Sequence, residues 1–361
     1  MLLIFAFMCA VALVSCGGDN TPPEDSVQVS EGLMFTLNND GKSYSVTGMG
    51  TCTDTDIVIP SEYKGLPVTS IGYGAFADCT SLTSIEIPDS VTSVGYFAFN
   101  CCESITSVTI PNSVEKIQDF AFAGCKSLTS IEVDENNQYY QSIDGNLYSK
   151  DGKTLIQYVI GKKATSFTIP NSVTSIGYRA FSDCTSLTSI EIPDSVTSIG
   201  GSAFKNCSSL TSIVIPDSVT SIWGSVFYGC SSLTSIEIPD SVTSIVSNVF
   251  SRCTSLTSIE IPDSVTSIGD SAFSGCISLT SIEIPNSVTS IGDGAFDSCT
   301  SLTSIEISDS VTSIGGFAFA LCSSLTIYCE AKEQPSGWDS DWNLYNRPVV
   351  WGYNSNQNNE E

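Results

Sequence analysis

Residues 184–200 read CTSLTSIEIPDSVTSIG, and residues 253–269 repeat these seventeen letters without a change. The stretch that begins at Cys79 differs only at Val94, and the stretch that begins at Cys299 differs only at Ser308. The cysteines of these units recur every 23 residues, from 79 to 125 and from 184 to 322. A fixed period of this length is typical of a solenoid, in which each coil buries its apolar face against the next.

Each unit holds two short segments that read as strands. The letters LTSIEI, residues 187–192, fit the strand pattern of leucine-rich repeats, and Pro193 ends that strand because proline has no backbone N–H to donate. The letters VTSI, residues 196–199, predict a second strand before Gly200. We therefore predict an α/β leucine-rich-repeat solenoid of about twelve coils, built of short parallel strands with 3-10 or short helical turns.

A phenylalanine follows Ala in most units, and this column predicts a buried aromatic spine. Its ten members are Phe76, Phe99, Phe122, Phe181, Phe204, Phe227, Phe250, Phe273, Phe296 and Phe319.

The period breaks once, and the repeats end before either terminus. Residues 57–326 form the predicted solenoid, and an insert at about 134–163 carries two Asp-Gly turn signals that predict a protruding β-hairpin. Residues 31–56 and 327–353 abandon the repeat. We expect them to cap the two ends, because an open stack exposes apolar faces and unpaired strands.

The N-terminal segment predicts export. Residues 1–16, MLLIFAFMCAVALVSC, form a short apolar run typical of a signal peptide, and its last four letters resemble a bacterial lipobox, which implies lipid attachment at Cys16. A plain cleaved signal is the alternative. Residues 17–30 are rich in Gly, Pro and acid and predict a flexible tether, and residues 354–361 predict a disordered tail.

Composition excludes several functions. The net charge of -26 repels nucleic acid and anionic lipid, so the expected membrane contact is the lipid anchor alone. The chain has no histidine, and an open strand face gives a carboxylate neither burial nor a cleft. We therefore expect a protein that is not an enzyme, with no catalytic residue and no cofactor.

The cysteines on the period predict a buried row of free thiols. One thiol per coil gives a straight line rather than the converging set of four that zinc requires, so no metal site is predicted. Parallel side chains also hold their Cβ atoms too far apart for a disulfide. Cys52, Cys101 and Cys329 lie off the period, and any disulfide would involve these three.

The unit AF-x-x-C-x-S-L-T-S-I-x-I-P-x-S-V-T-S-I-G resembles the BspA-like class of leucine-rich repeats over about residues 50 to 326. This resemblance implies a secreted or surface-anchored bacterial protein, located at the outer membrane or cell surface. It implies adhesion to host matrix proteins, other bacteria or cell surfaces, and no shared catalytic site. A glycan-capturing surface lipoprotein is the alternative function.

Two groups of residues are candidates for binding. An outward strand position places a column of like charges along the stack, which either keeps the protein soluble or attracts a basic partner. Its members are Glu86, Glu132, Glu191, Glu237, Glu260, Glu283 and Glu306. The aromatic residues of the C-terminal cap and the insert either cover the ends or stack on sugars. They are Trp338, Trp342 and Trp351, with Tyr139, Tyr140 and Tyr148.

Overall fold

The computed structural model describes residues 28–353, so the predicted signal peptide, Cys16, most of the tether and the C-terminal tail lie outside the described residues. The described chain is a leucine-rich-repeat solenoid of about 13 turns, which confirms the predicted fold. Two rows of short parallel strands run along it, one row for each strand segment of the repeat.

The first row, called here the glutamate ladder, contains the strands that carry the glutamate column. Its strands are Asp56–Val58, Ser84–Glu86, Ser107–Ile110, Ser130–Val133, Ser166–Thr168, Ser189–Glu191, Ser212–Ile213, Ser304–Ile307, Thr326–Cys329 and Val349–Trp351.

The second row, the glycine ladder, contains the strands that precede the glycine column. Its strands are Met34–Leu37, Tyr44–Gly48, Leu66–Ile71, Ser93–Val94, Lys116–Ile117, Tyr140–Ile143, Asn146–Ser149, Thr154–Gln157, Ser175–Ile176, Ser198–Ile199, Ser221–Ile222, Ser267–Ile268, Ser290–Ile291 and Ser313–Ile314, with Glu62–Tyr63 paired beside it.

The identical letters of successive units bond to one another across the coils. Ser189 lies beside Ser212 in register, 23 residues along the chain. The Ser195 hydroxyl donates to the Val173 carbonyl at 2.7 Å, and the same contact recurs in every later unit. The columns of Thr188, Ser195 and Thr197 therefore bond to backbone of the preceding coil, which explains why these polar letters repeat as faithfully as the apolar ones.

The phenylalanine column forms the predicted spine. Each ring from Phe181 to Phe319 is buried and stacks on the next, with centroids 5.2 to 5.7 Å apart. Phe76, Phe99 and Phe122 form the same stack at the N-terminal end, with centroids 5.6 and 5.5 Å apart. The spine thus forms the centre of the apolar core in two stacks, one on each side of the insert.

The segments around these rings are successive turns rather than the predicted short helices. Among the described residues the only helix is a 3-10 turn at Ile160–Lys162, so the α component of the predicted α/β class is nearly absent. Positive φ angles explain this: the residues two before and two after each phenylalanine of the spine are left-handed, as at Ser202 (56°) and Asn206 (58°) around Phe204. A right-handed helix cannot continue through such residues.

The insert does not protrude from the solenoid as predicted. Its strands Tyr140–Ile143, Asn146–Ser149 and Thr154–Gln157 pair antiparallel, and the last then pairs in parallel with Ser175–Ile176 of the next coil. Tyr158 replaces a spine phenylalanine, with its ring 5.2 Å from that of Phe181. The insert is thus built into the stack as a modified coil, because its apolar residues fill the core.

The side chain of Asn137 fixes the insert to the preceding coil. It is fully buried, and its Nδ2 donates to the carbonyls of Pro111 and Val114, both at 2.9 Å. Its Oδ1 accepts from the N–H groups of Tyr139 and Tyr140, at 2.8 and 2.9 Å. All its hydrogen-bonding capacity is therefore used across the junction.

Both ends of the described solenoid are covered. Met34–Leu37 pairs antiparallel with Tyr44–Gly48 and closes the glycine ladder at the N-terminal end. At the other end, Val349–Trp351 extends the glutamate ladder and Trp338 bridges to Ile314 of the glycine ladder.

The periodic cysteines form a row of free thiols, as predicted. All but Cys79 and Cys184 donate to the carbonyl of the phenylalanine one coil earlier, as Cys207 does to Phe181 at 3.1 Å. Burial raises the pKa of the Cys125 thiol to about 12 and that of Cys276 to about 12. The off-period residues Cys52, Cys101 and Cys329 are also free thiols.

Candidate binding surfaces

The seven residues of the glutamate column are all exposed on one side of the glutamate ladder. Thr109 lies beside Glu132, Thr168 beside Glu191 and Glu306 beside Tyr328 in register. The one salt bridge among the described residues joins Lys126 to Glu103, so no lysine or arginine of this region pairs with the column. The described residues also contain no group of three or more Cys, Asp or Glu side chains that could hold a metal ion.

The glutamate ladder loses its strand pairing where glutamates stack on one another. In the region described, no strand pairing joins the segments of Glu237, Glu260, Glu283 and Glu306. Pairing persists at most steps where a glutamate faces Thr, Val or Tyr, although the step from Glu86 to Thr109 is also open. Like charges directly opposite one another destabilise a strand pair, which accounts for the open run.

The tryptophans of the C-terminal cap do not form a sugar platform. Trp338 and Trp342 are only 5% and 4% exposed, and Trp342 lies edge-on to Phe319 with centroids 5.9 Å apart. Trp351 is half-buried against both, and the indole N–H of Trp338 donates to the Val311 carbonyl at 3.0 Å. These rings end the spine, so the prediction of a glycan-stacking surface is wrong for the two buried tryptophans.

The tyrosines of the insert do not form one surface either. Tyr148 is buried in the core, and the Tyr140 hydroxyl accepts from the Ile117 N–H at 2.8 Å. Tyr139 alone of the three is exposed. The insert therefore uses its aromatic residues mainly for packing.

A row of aromatic residues that the repeated letters do not predict crosses the first five coils. We call it the aromatic strip, and its members are Tyr73, Tyr96, Phe97, Phe120, Tyr178 and Arg179. Ring centroids are 5.7 Å apart for Tyr73 and Phe97, 4.5 Å for Phe97 and Phe120, and 5.2 Å for Phe120 and Tyr178. Tyr73 is 75% exposed, and Tyr96 and Tyr178 are also exposed. Solvent-facing aromatic rings in one continuous row are unusual on a protein surface and mark interaction sites.

Arginine completes the strip. The guanidinium of Arg179 lies 4.4 Å from the ring centroid of Phe120 and 6.0 Å from that of Tyr178. Phe97 stacks on the same Phe120 ring at an interplanar angle of 9°. Both faces of Phe120 are therefore occupied, one by Phe97 and the other by the half-buried Arg179.

A signal for this strip was present in the sequence. The two positions before the spine dipeptide read Tyr-Gly, Tyr-Phe, Asp-Phe and Tyr-Arg in the early units, whereas later units have Gly-Ser, Ser-Asn, Asp-Ser or Asp-Gly there, until the last unit returns to an aromatic residue at Phe317. Both positions lie at the left-handed turn before the spine ring, where side chains project from the core. The letters that all units share do not reveal these two positions, because the units differ there.

Phe120, Tyr178 and Arg179 of the strip lie in the least acidic part of the chain, whereas residues 54 to 115, which include its other three members, contain eight Asp or Glu and only Lys64 as a base. Residues 116 to 179 contain seven Lys or Arg against six Asp or Glu, in a chain whose net charge is -26. Residues 180 to 331 contain fifteen acidic residues and only Lys205 and Arg252 as bases. The end of the aromatic strip that carries Arg179 is thus electrostatically distinct from the glutamate run.

A family model described as the BspA-type leucine-rich repeat region matches six copies, over residues 50–151, 157–276 and 243–332. The chain belongs to the BspA-type leucine-rich repeat family. This membership agrees with the observed solenoid and with the resemblance carried by the repeat.

Several solved structures resemble this BspA-type protein. A leucine-rich repeat protein from Eubacterium ventriosum is 25% identical, with a TM-score of 0.61 over 85% of this chain and 95% of that one. A leucine-rich cell surface protein from Faecalibacterium prausnitzii is 28% identical, with a TM-score of 0.52 over 92% of this chain and 96% of that one. The pneumococcal vaccine antigen PcpA shares the fold at 19% identity and a TM-score of 0.52, over 86% of this chain and 83% of that one.

The comparison with curated proteins gives no significant match. In the part of the chain that the structure describes, no helix has the length and apolar character needed to cross a membrane.

Proposed function

We propose that this BspA-type protein is an exported, non-enzymatic binding protein that adheres to host matrix or cell-surface proteins through the aromatic strip. The observation that supports this function is the strip itself. Tyr, Phe and Arg side chains dominate binding energy in protein interfaces, and here three exposed tyrosines lie on rigid coils with the half-buried Phe97, Phe120 and Arg179. The protein from Faecalibacterium prausnitzii that is described as a cell surface protein supports the proposed location.

Protein is a better partner than glycan for this surface. Sugars stack on free ring faces, whereas Phe97 and Phe120 place their faces against each other and Arg179 covers the second face of Phe120. The buried Trp338 and Trp342 cannot supply a platform elsewhere. The guanidinium at the end of the strip favours a partner segment that carries a carboxylate or a backbone carbonyl.

The binding test uses the chain's own repeats to design the variant. Tyr96→Gly with Phe97→Ser, Phe120→Ser, and Tyr178→Gly with Arg179→Ser install the Gly-Ser letters that precede Ala203 in a later coil, so the fold tolerates them. On a panel of extracellular-matrix proteins beside a glycan array, we expect the parent to bind protein and the variant to lose at least about 30-fold in affinity. Binding to glycans alone, or equal affinity of parent and variant, would show that the aromatic strip is not the protein-binding surface.

The glutamate run provides the matched control in the same experiment. Replacing Glu237, Glu260, Glu283 and Glu306 with Gln keeps side-chain size and removes four charges. If the run attracts a basic segment of the partner, this variant keeps its affinity at 1 M salt but binds more weakly than the parent at 0.1 M, because salt screens exposed charge. If the affinities of parent and variant depend on salt in the same way, the glutamate column does not contact the partner and only keeps the surface solvated.

We propose that lipid on Cys16 holds the protein at the bacterial outer membrane or cell surface. Metabolic labelling with a radioactive fatty acid is expected to mark the parent, and the Cys16→Ala variant is expected to remain unlabelled and unprocessed. Label of equal intensity on both chains would rule out this anchor.

A further inference from the structure

Outside the insert, where Lys116–Ile117 has no strand partner on the following coil, the described part of the glycine ladder contains one gap. Among the described residues, no backbone hydrogen bond joins residues 220–223 to residues 243–246 of the next coil. On either side the ladder is closed, since Ile199 pairs with Ile222 and Ile245 bridges to Ile268. The interruption is therefore confined to a single step of the stack.

The residue that follows each strand explains where the gap lies. This position is glycine in most coils, and a Cβ added at Gly200 would lie 2.8 Å from backbone of the preceding coil, while one at Gly269 would lie 2.7 Å from it. A single large residue at this position leaves the ladder closed. Gln118 stands there one coil after Gly95, and its N–H still donates to the Val94 carbonyl at 2.9 Å. Outside the insert, two large residues stand in succession only at Trp223 and Val246. The ladder opens where two side chains would have to occupy the space that glycine leaves free.

The gap forms an uncharged groove of about 300 Å³. Its lining residues are Thr220, Ser221, Ile222, Trp223, Gly224, Val242, Thr243, Ser244 and Val246. None of these nine residues is charged, in a chain with a net charge of -26, and Trp223 is 61% exposed at its edge. A partly apolar, neutral groove of this volume suits a neutral apolar group.

The same step leaves backbone groups without their usual partners. In the flanking coils Gly269 N–H donates to Ile245 and Thr266 N–H donates to Thr243, at 2.7 and 3.0 Å. The corresponding groups at the gap are the carbonyls of Thr220 and Ile222 and the N–H groups of Thr243 and Val246, and none has a backbone partner within the described chain. Unpaired donors and acceptors in ladder arrangement are what an extended peptide recognises when it adds to a sheet.

We propose that this groove binds an extended, uncharged peptide segment of a partner protein, which inserts one large apolar side chain between Trp223 and Val246 and hydrogen-bonds through its main chain to the unpaired backbone groups that line the groove. The apolar lining accounts for the side chain, and the unpaired backbone groups account for the peptide main chain. The site lies in different coils from the aromatic strip, and the proposal does not rest on the function proposed above.

The experiment uses the full chain and a displayed library of linear nine-residue peptides as the probe. Peptides are selected on the parent and counter-selected on Val246→Gly, which restores the glycine of the neighbouring coils and closes the ladder. Gln118→Gly is the matched control, because it makes the same kind of change at a step that is already closed.

We expect enriched peptides to share one Phe, Trp, Leu or Ile among uncharged residues. They should bind Val246→Gly at least about tenfold more weakly than they bind the parent and Gln118→Gly. N-methylation of the amides beside the apolar residue should also weaken binding, because it removes main-chain donors. This combination supports the proposal.

Three results would overturn it. A selection that yields no peptide able to distinguish the parent from Val246→Gly would show that the groove takes no peptide. Full affinity after N-methylation would reduce the groove to an apolar pocket without strand pairing. A parent that sediments as a dimer, while Val246→Gly sediments as a monomer, would assign the groove to a second copy of this chain.

Discussion

Phe250→Ala is expected to lower the free energy of unfolding by about 3 to 5 kcal/mol. The ring of Phe250 is fully buried and stacks between Phe227 and Phe273, with centroids 5.7 and 5.5 Å away. Its removal leaves a cavity that two neighbouring rings border, and the rigid backbone contacts of the stack prevent collapse around it. In a one-dimensional array the loss weakens the coils on both sides.

Chemical denaturation of parent and variant measures this effect, with Tyr73→Ala as the control. Tyr73 is 75% exposed, so its truncation is expected to change stability by no more than about 0.5 kcal/mol. If the Phe250→Ala transition coincided with that of the control, the spine would not carry the stability of the stack.

Asn137→Ala is expected to cost about 3 to 5 kcal/mol, because two backbone carbonyls and two backbone N–H groups lose their partner at a buried site. Asn137 joins the insert to the coil before it, and the buried core divides into two clusters that meet in the insert. The loss therefore falls at the junction of the two halves of the solenoid.

The adjacent Asn136→Ala variant is the control for this site, since Asn136 is exposed and its amide bonds only to Asp134. Denaturation should separate the two variants by several kcal/mol on the same scale. Equal midpoints would mean that water or a local shift satisfies the four backbone groups, and that the junction does not depend on Asn137.

The repeat itself was predictable from the sequence because every coil meets the same neighbour. A residue that recurs every 23 positions must pack against its own copy, so the spine and the thiol row follow from Phe204 and Cys207 in one unit. The period also contained a signal for the buried insert that the sequence analysis missed. Tyr158 lies 23 residues before Phe181, which places it on the spine, whereas the two Asp-Gly turns alone suggested a free hairpin.

The candidate surfaces were harder to predict because they arise where units differ. The glutamate column is exposed as predicted, since alternation along a strand fixes which side chains face outward. The strip joins Phe120 to Tyr178 across the inserted coil, a contact between residues 58 positions apart that no fixed spacing indicates. The gap between Trp223 and Val246 depends on two substitutions acting together, because one large residue beside a glycine coil leaves the ladder closed.

Hydrogen–deuterium exchange of the bound protein tests the proposed function most directly. The parent is compared free and in complex with the matrix or cell-surface protein that binds it most tightly in the panel. The account predicts slowed exchange at residues 72–76, 95–99, 118–122 and 177–181, the four turns that carry the aromatic strip. Unchanged exchange at these turns, with protection confined to the C-terminal cap or to the glutamate ladder, would contradict it.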